Sequence, residues 1–218
     1  MNHPHGVYSR AAAALAFSVF VAFSGAALGN EQCTYSTYKW NTHTRKAVEP
    51  RRVTKPMSGL TAEEKDSQTG CTVCEEDQVE LTFPGLRPFK VCKLLAPRVE
   101  KIITELQRKN APLRDVVGYR VGMTRGNPDK SGNRTGFSNH SYGVALDINT
   151  AQNGLYENCA RYSSACRLIK GGAWNPKQEL SLTLDSLIVR EFKENGFKWG
   201  GEIAGMQKDF MHFSPTGY

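Results

Sequence analysis

The chain has 218 residues, 39% of them hydrophobic, and a formal net charge of +7. That length allows one domain with a real core plus an extension, and the absence of internal repeats or low-complexity tracts beyond the leader excludes solenoid and fibrous classes. The basic balance admits anionic wall polymers, lipid surfaces or nucleic acid as partners and does not choose among them.

Residues 1–10 carry one certain positive charge, Arg10, and no acid, and Ala11 to Leu28 is apolar or small throughout. Ala27-Leu28-Gly29 is a small-x-small cleavage pattern. Residues 1–29 are therefore predicted to be a secretory signal peptide, cut after Gly29. The alternative is a retained membrane anchor, which Ser18, Ser24 and Gly25 inside the run disfavour. The mature chain keeps a charge of +6, is secreted or periplasmic, and has no stable membrane insertion.

All six cysteines fall in the mature part. An even count behind a secretory signal predicts three disulfides. Cys159 and Cys166 flank a short loop and are expected to pair. Cys33, Cys71, Cys74 and Cys92 then tie the extension to the domain. A rival reading takes Cys71-Thr72-Val73-Cys74 as half a zinc site or a redox motif. A structural zinc site wants a second close pair, and the sequence has none.

Residues 30–75 read as a basic, disulfide-tethered extension, and 76–218 as the domain. Within 30–68, Pro50, Pro56, Ser58 and Gly59 break any pattern, so weak structure is expected. Arg45, Lys46, Arg51, Arg52 and Lys55 form a basic run preceded by Tyr35, Tyr38 and Trp40. This is either a solvated extension, the favoured reading, or a docking arm for an anionic polymer. Asp77 to Phe83 alternates as a strand and ends at the Pro84-Gly85 turn. Ala96-Pro97 opens a helix whose apolar face is Val99, Ile102, Ile103 and Leu106, ended by Asn110 and Pro112. Val116 to Met123 reads as a strand carrying Arg120, Thr124 to Thr135 as a loop, and Val144 to Ile148 as a buried strand. Asn149 to Gly172 reads as an irregular insertion. A second helix is expected from Thr183 to Asn195, with Leu184, Leu187, Ile188 and Phe192 on one face and Gly196 as its left-handed cap. Asp209 to Phe213 is the expected last strand.

Two short stretches carry the chemistry. In the first, Asp147 is the one charged residue in an apolar run, and His140 precedes it across Gly143. A lone carboxylate in such a run is costly unless it is paired or binds a cation. The second stretch is Asp209-Phe210-Met211-His212-Phe213. The mature chain has three histidines, His43, His140 and His212. Two of them lie in these stretches, while His43 lies in the basic extension and is read as a surface residue. Two imidazoles and two carboxylates suit a catalytic zinc with three protein ligands, an open position and a separate base. His140, Asp147 and His212 are read as ligands and Asp209 as the base. On an ideal strand Asp209 and His212 point to opposite faces, so this reading needs a bulge or twist between them.

The pattern Ser138-x-His140, Gly143, Ala145, Asp147, followed by Asp209-x-x-His212, resembles the zinc D,D-peptidases and L-alanyl-D-glutamate endopeptidases, the VanX and VanY type. The resemblance covers roughly Val116 to Phe213. It implies zinc held by His140, Asp147 and His212, with Asp209 as general base. It also implies an arginine near the substrate carbonyl or carboxylate, for which Arg120 and Arg125 both qualify, and Ser138 and Trp199 as substrate-side residues. The family often has a tryptophan soon after a late Gly-Gly pair, whereas here Trp199 precedes Gly200-Gly201.

The expected fold is small α+β: an antiparallel sheet with two main helices packed against it and the zinc site at one end. The expected function is hydrolysis of peptide bonds in peptidoglycan stem peptides, by a D-alanyl-D-alanine carboxypeptidase or an endopeptidase. The alternative is a non-catalytic wall-binding protein in which zinc is a structural staple. Nucleic acid is not expected as a partner, because no aromatic-basic motif of a known reader is present. The scissile bond and the oligomeric state are not encoded in any motif.

Overall fold

The computed structural model describes Met1 and residues 32–217. The predicted leader beyond Met1 lies outside them. Among the described residues, no helix is long and apolar enough to cross a membrane.

The first element corrects the expectation of weak structure in 30–68. Strands β1 (Gln32–Asn41) and β2 (Lys46–Pro56) form a long antiparallel hairpin. Cys33, Tyr35 and Thr37 alternate as buried residues along β1, which gives it one face for a core. The prolines are tolerated because β2 is the edge of its sheet. Pro50 falls where the ladder register shifts, beside Glu49 in a left-handed conformation (φ 51°).

Asp77 belongs to a 3₁₀ turn, so the next strand is shorter than predicted: β3 (Gln78–Leu81) pairs with β4 (Phe89–Cys92). Helix α1 (Ala96–Arg108) begins with its proline in the first turn and fully buries Val99, Ile102, Ile103 and Leu106. Each such side chain contributes roughly 1.5–3 kcal/mol of hydrophobic stabilisation.

The predicted strand Val116–Met123 is split into β5 (Val116–Val117) and β6 (Met123–Arg125). Between them the chain changes sheets: Tyr119 donates its N–H to Lys90 and Arg120 donates to the His140 carbonyl. Next come β7 (Gly136–Phe137) and β8 (Leu146–Ile148). The insertion is more regular than expected, holding β9 (Leu155–Glu157) and β10 (Arg167–Lys170). Helix α2 (Leu187–Glu194) starts later than predicted and leaves Leu184 exposed, while Gly196 follows in the left-handed conformation. The chain closes with β11 (Lys198–Trp199), β12 (Gln207–Asp209) and β13 (His212–Ser214).

The α+β class with two helices stands, but the single sheet is replaced. The described strands form four small sheets: β2-β1-β6-β7, β11-β13-β8-β5, β10-β9-β12 and β3-β4. The β1–β6 contact is parallel and the other pairings are antiparallel. One core joins Ile102 and Ile103 of α1, Ile188 and Phe192 of α2, and Val116, Leu146, Ile148 and Phe213 of the second sheet. A smaller core joins Cys33, Tyr35, Val73 and Cys74 to Val121 and Phe137. The hairpin is thus packed into the protein through its own apolar contacts.

Cys33–Cys74, Cys71–Cys92 and Cys159–Cys166 are bonded, with no free cysteine among the described residues. The expected Cys159–Cys166 pair is present. Cys71 and Cys74 join different partners, which removes the rival metal reading. Three disulfides suit an extracellular or periplasmic compartment.

Candidate metal centre

His140 lies in a 3₁₀ turn, Asn139–Tyr142, closed by Gly143 at φ 67°. A Cβ on Gly143 would stand 2.6 Å from the Cys92 nitrogen, so a side chain is excluded there on both conformational and steric grounds. The turn aims the His140 ring at β8, where Asp147 sits. His212 arrives from β13, the antiparallel neighbour of β8. All three side chains are buried.

Their ligating atoms converge. His140 Nε2 is 2.9 Å from Asp147 Oδ1, and His212 Nδ1 is 3.3 Å from the same oxygen. One nitrogen or oxygen from each residue lies within 4.8 Å of the others. His140 Nδ1 is 2.9 Å from the Gly118 carbonyl, an acceptor, so Nδ1 carries the hydrogen. In a neutral ring Nε2 then turns a lone pair toward a carboxylate oxygen, which is repulsive unless a cation stands between them. A proton can fill that role in the metal-free protein. The two-nitrogen, one-oxygen set, with one ring oriented by a backbone carbonyl, fits zinc.

Asp147 is further fixed by Arg120, whose guanidinium donates to Oδ2 at 2.7 Å. Burial pushes the Asp147 carboxyl up, but the charges and hydrogen bonds of His140 and His212 outweigh it and hold it well below the usual carboxylate range.

Asp209 ends β12, and β12 belongs to a different sheet from β13. The expected strand Asp209–Phe213 is therefore broken at Phe210-Met211, which form a turn. That break supplies the reorientation a continuous strand would forbid, and Asp209 and His212 line the same cleft. Asp209 is buried, and its Oδ1 has no hydrogen-bond partner among the described residues. Burial first, and then the Asp147 charge, push its carboxyl up to about 6 against the opposing pull of His212, Lys170 and Arg120. The cleft encloses about 620 Å³ and also includes Arg120, Arg125 and Ser138 in its lining.

Residues 131–215 match a family described as D-alanyl-D-alanine carboxypeptidase. Over this segment, which is less than half of the chain, the sequence is similar to that peptidase family. No curated protein and no solved structure matches the chain.

The matched segment contains Ser138, His140, Asp147, Trp199, Asp209 and His212, while Arg120 and Arg125 precede it. Trp199 does not line the cleft with the others. It is 5% exposed, packs in the core, and gives its indole N–H to the Phe210 carbonyl at 2.8 Å. It braces the turn between Asp209 and His212 from behind. Tyr38, Trp40 and Lys170 line the same cleft without having been marked by any motif. The aromatic cluster before the basic run is the only sequence signal for the first two. For Lys170 there was none. Although it is exposed overall, desolvation in the cleft and the Arg120 charge pull its amine below its ordinary value, against Asp147 and Asp209.

Proposed function

We propose that the protein is a secreted zinc peptidase that hydrolyses peptide bonds in peptidoglycan stem peptides, as a D-alanyl-D-alanine carboxypeptidase or an endopeptidase. The observation that carries this reading is the buried Oδ1 of Asp209, unpartnered among the described residues, in the cleft that the three metal-ligand candidates share. A purely structural site has no use for such an oxygen, because an unsatisfied buried polar atom costs stability. The positive charge suits an anionic wall.

His140, Asp147 and His212 would hold the zinc. When bound, zinc supplies a Lewis acid that acidifies water and polarises a carbonyl. Asp209 takes the proton of the attacking water at Oδ1 and returns it to the leaving amine. Burial already raises this carboxyl in the metal-free protein, which makes it a better proton acceptor than an exposed aspartate. Arg120 orients Asp147 through Oδ2 and sets a positive charge beside the developing oxyanion. Arg125 meets a carboxylate of the substrate, and Ser138, at the base of the His140 turn, contacts its backbone. Trp199 acts indirectly, by fixing the turn after Asp209.

Digestion of purified cross-linked wall by the mature protein, with fragments identified by mass spectrometry, tests the reading. Hydrolysis that is lost on chelation and restored by zinc is expected. Tight zinc binding with no hydrolysis of any wall fragment would favour the non-catalytic wall-binding alternative.

A further inference from the structure

The N-terminal hairpin reaches the cleft. Tyr38 and Trp40 of β1 form part of its wall together with Arg125 and Arg134. Tyr38 and Trp40 lie on β1 opposite the face that carries the buried Cys33, Tyr35 and Thr37. The Tyr38 ring rests against Gly122, where a Cβ would meet its Cζ at 2.8 Å.

The wall is fixed in place. Arg134 donates its N–H to the Trp40 carbonyl at 2.9 Å, and Thr42 donates to Gly132 at 2.8 Å. Asn41 bonds the Asn133 side chain at 2.7 Å, and the Arg134 guanidinium bonds the Gly126 carbonyl. The hairpin and the Arg125–Arg134 loop therefore act as one rigid surface.

Its chemistry is one-sided. The acids in the cleft lining are Asp147, Asp209 and Glu157. Asp147 is held by Arg120 and Glu157 by Arg167, and neither belongs to this wall. The hairpin side offers two guanidiniums beside two aromatic rings. Guanidinium binds carboxylate by charge-assisted, often bidentate bonds, and aromatic faces give a flexible peptide a rigid surface to lie on. We propose that Tyr38, Trp40, Arg125 and Arg134 form a substrate subsite that holds a carboxylate-bearing stretch of the peptide next to the scissile bond. This rests on the peptidase reading and deepens it: the preferred substrate is an acidic peptide, and the hairpin reads the acid.

The test is calorimetric binding to the mature protein after chelation, so that affinity is read without turnover. The probes are a stem peptide with free side-chain carboxylates, the same peptide fully amidated, and a sugar-bearing stem peptide. KM and kcat on the zinc-loaded enzyme form a second arm. Wild type should bind the acidic peptide at least about tenfold more tightly than the amidated one. Tyr38→Ala/Trp40→Ala and Arg134→Gln should each erase most of that preference and raise KM with kcat retained, and Trp40→Phe should keep it. Melting curves check folding. If the double variant unfolds, Arg134→Gln carries the test alone. Equal affinity for acidic and amidated peptides overturns the proposal. So does a loss confined to the sugar-bearing probe, which would make the wall a saccharide site. Should wild type bind the acidic peptide selectively but hydrolyse nothing, the subsite stands and the peptidase reading fails.

Discussion

His212 stands directly opposite Asp147 in the β13–β8 ladder, as Cα partners. The spacing of these two candidate ligands is therefore set by backbone pairing, and His140 is brought to them by a single glycine-closed turn. Asp209 is set separately, by pairing with Leu155 in the β12–β9 ladder. Asp147 and His212, the candidate ligands, and Asp209, the proposed base, sit on different sheets, so substitutions can separate metal affinity from proton transfer.

Asp147→Ala should release zinc and destabilise even the metal-free protein. It leaves the half-buried Arg120 guanidinium and two buried rings facing each other with no anion between them. Breaking a buried pair costs about 3–5 kcal/mol, and the partial exposure of Arg120 sets the expectation near the lower end. Zinc analysis and urea melts of the chelated protein measure both effects. Full zinc content together with an unchanged midpoint would remove Asp147 from the ligand set.

Asp209 makes stability depend on pH in the metal-free protein. Its carboxyl is raised to about 6 when folded, mainly by burial, and lies near 3.9 when unfolded. Below the unfolded value both states hold the proton and no penalty exists. As pH rises toward 6 the unfolded state releases its proton first, and folding loses stability, by about 2–3 kcal/mol in full above 6. Asp209→Asn should therefore melt higher than wild type at pH 8, and the gap should shrink toward pH 4. Parallel melting curves across pH would refute the assigned burial.

The disulfides should differ in worth. Loop closure gives about 4 kcal/mol for Cys33–Cys74, separated by 41 residues, and about 2.5 for Cys159–Cys166, separated by 7. Cys33→Ser/Cys74→Ser should thus melt lower than Cys159→Ser/Cys166→Ser. The first pair also sits in the core that joins the hairpin to Phe137, which widens the difference. Thiol titration of the denatured, unreduced mature protein should find no free thiol.

The convergence of His140, Asp147 and His212 was legible in the sequence because polar residues in apolar runs carry their own explanation: a buried charge needs a partner. The first helix was legible through the amphipathic spacing of Val99, Ile102, Ile103 and Leu106. The hairpin was not. Pro50 and Pro56 read as breakers because a sequence does not say which strand will be an edge, where proline is harmless. The strands β9 and β10 were hidden because three- and four-residue strands in a polar loop have too few alternations to register. Trp199 was read by its motif position, whereas its indole is occupied by the Phe210 carbonyl. What long-range pairing decides, local pattern does not encode.

The last prediction separates ligand from base. Asp209→Ala should keep zinc and lose hydrolysis of wall peptides, whereas His212→Ala should lose both. A ligand contributes directly to metal affinity, while a base acts on the water, and removing a general base typically lowers the rate about 10²–10⁴-fold. His140→Ala should follow His212→Ala, since each removes one of three converging donors. Glu202→Ala is the control: this acid is exposed, is tied to Lys193 at 2.7 Å and lies outside the cleft lining. It should keep both zinc and rate. Zinc content and hydrolysis are measured on all four variants. If Asp209→Ala drops the metal and Glu202→Ala keeps it but is inactive, the base has been assigned to the wrong acid. If Asp209→Ala drops the metal and wild type cleaves nothing, Asp209 is a fourth ligand, and the closed site of a non-catalytic protein becomes the better account.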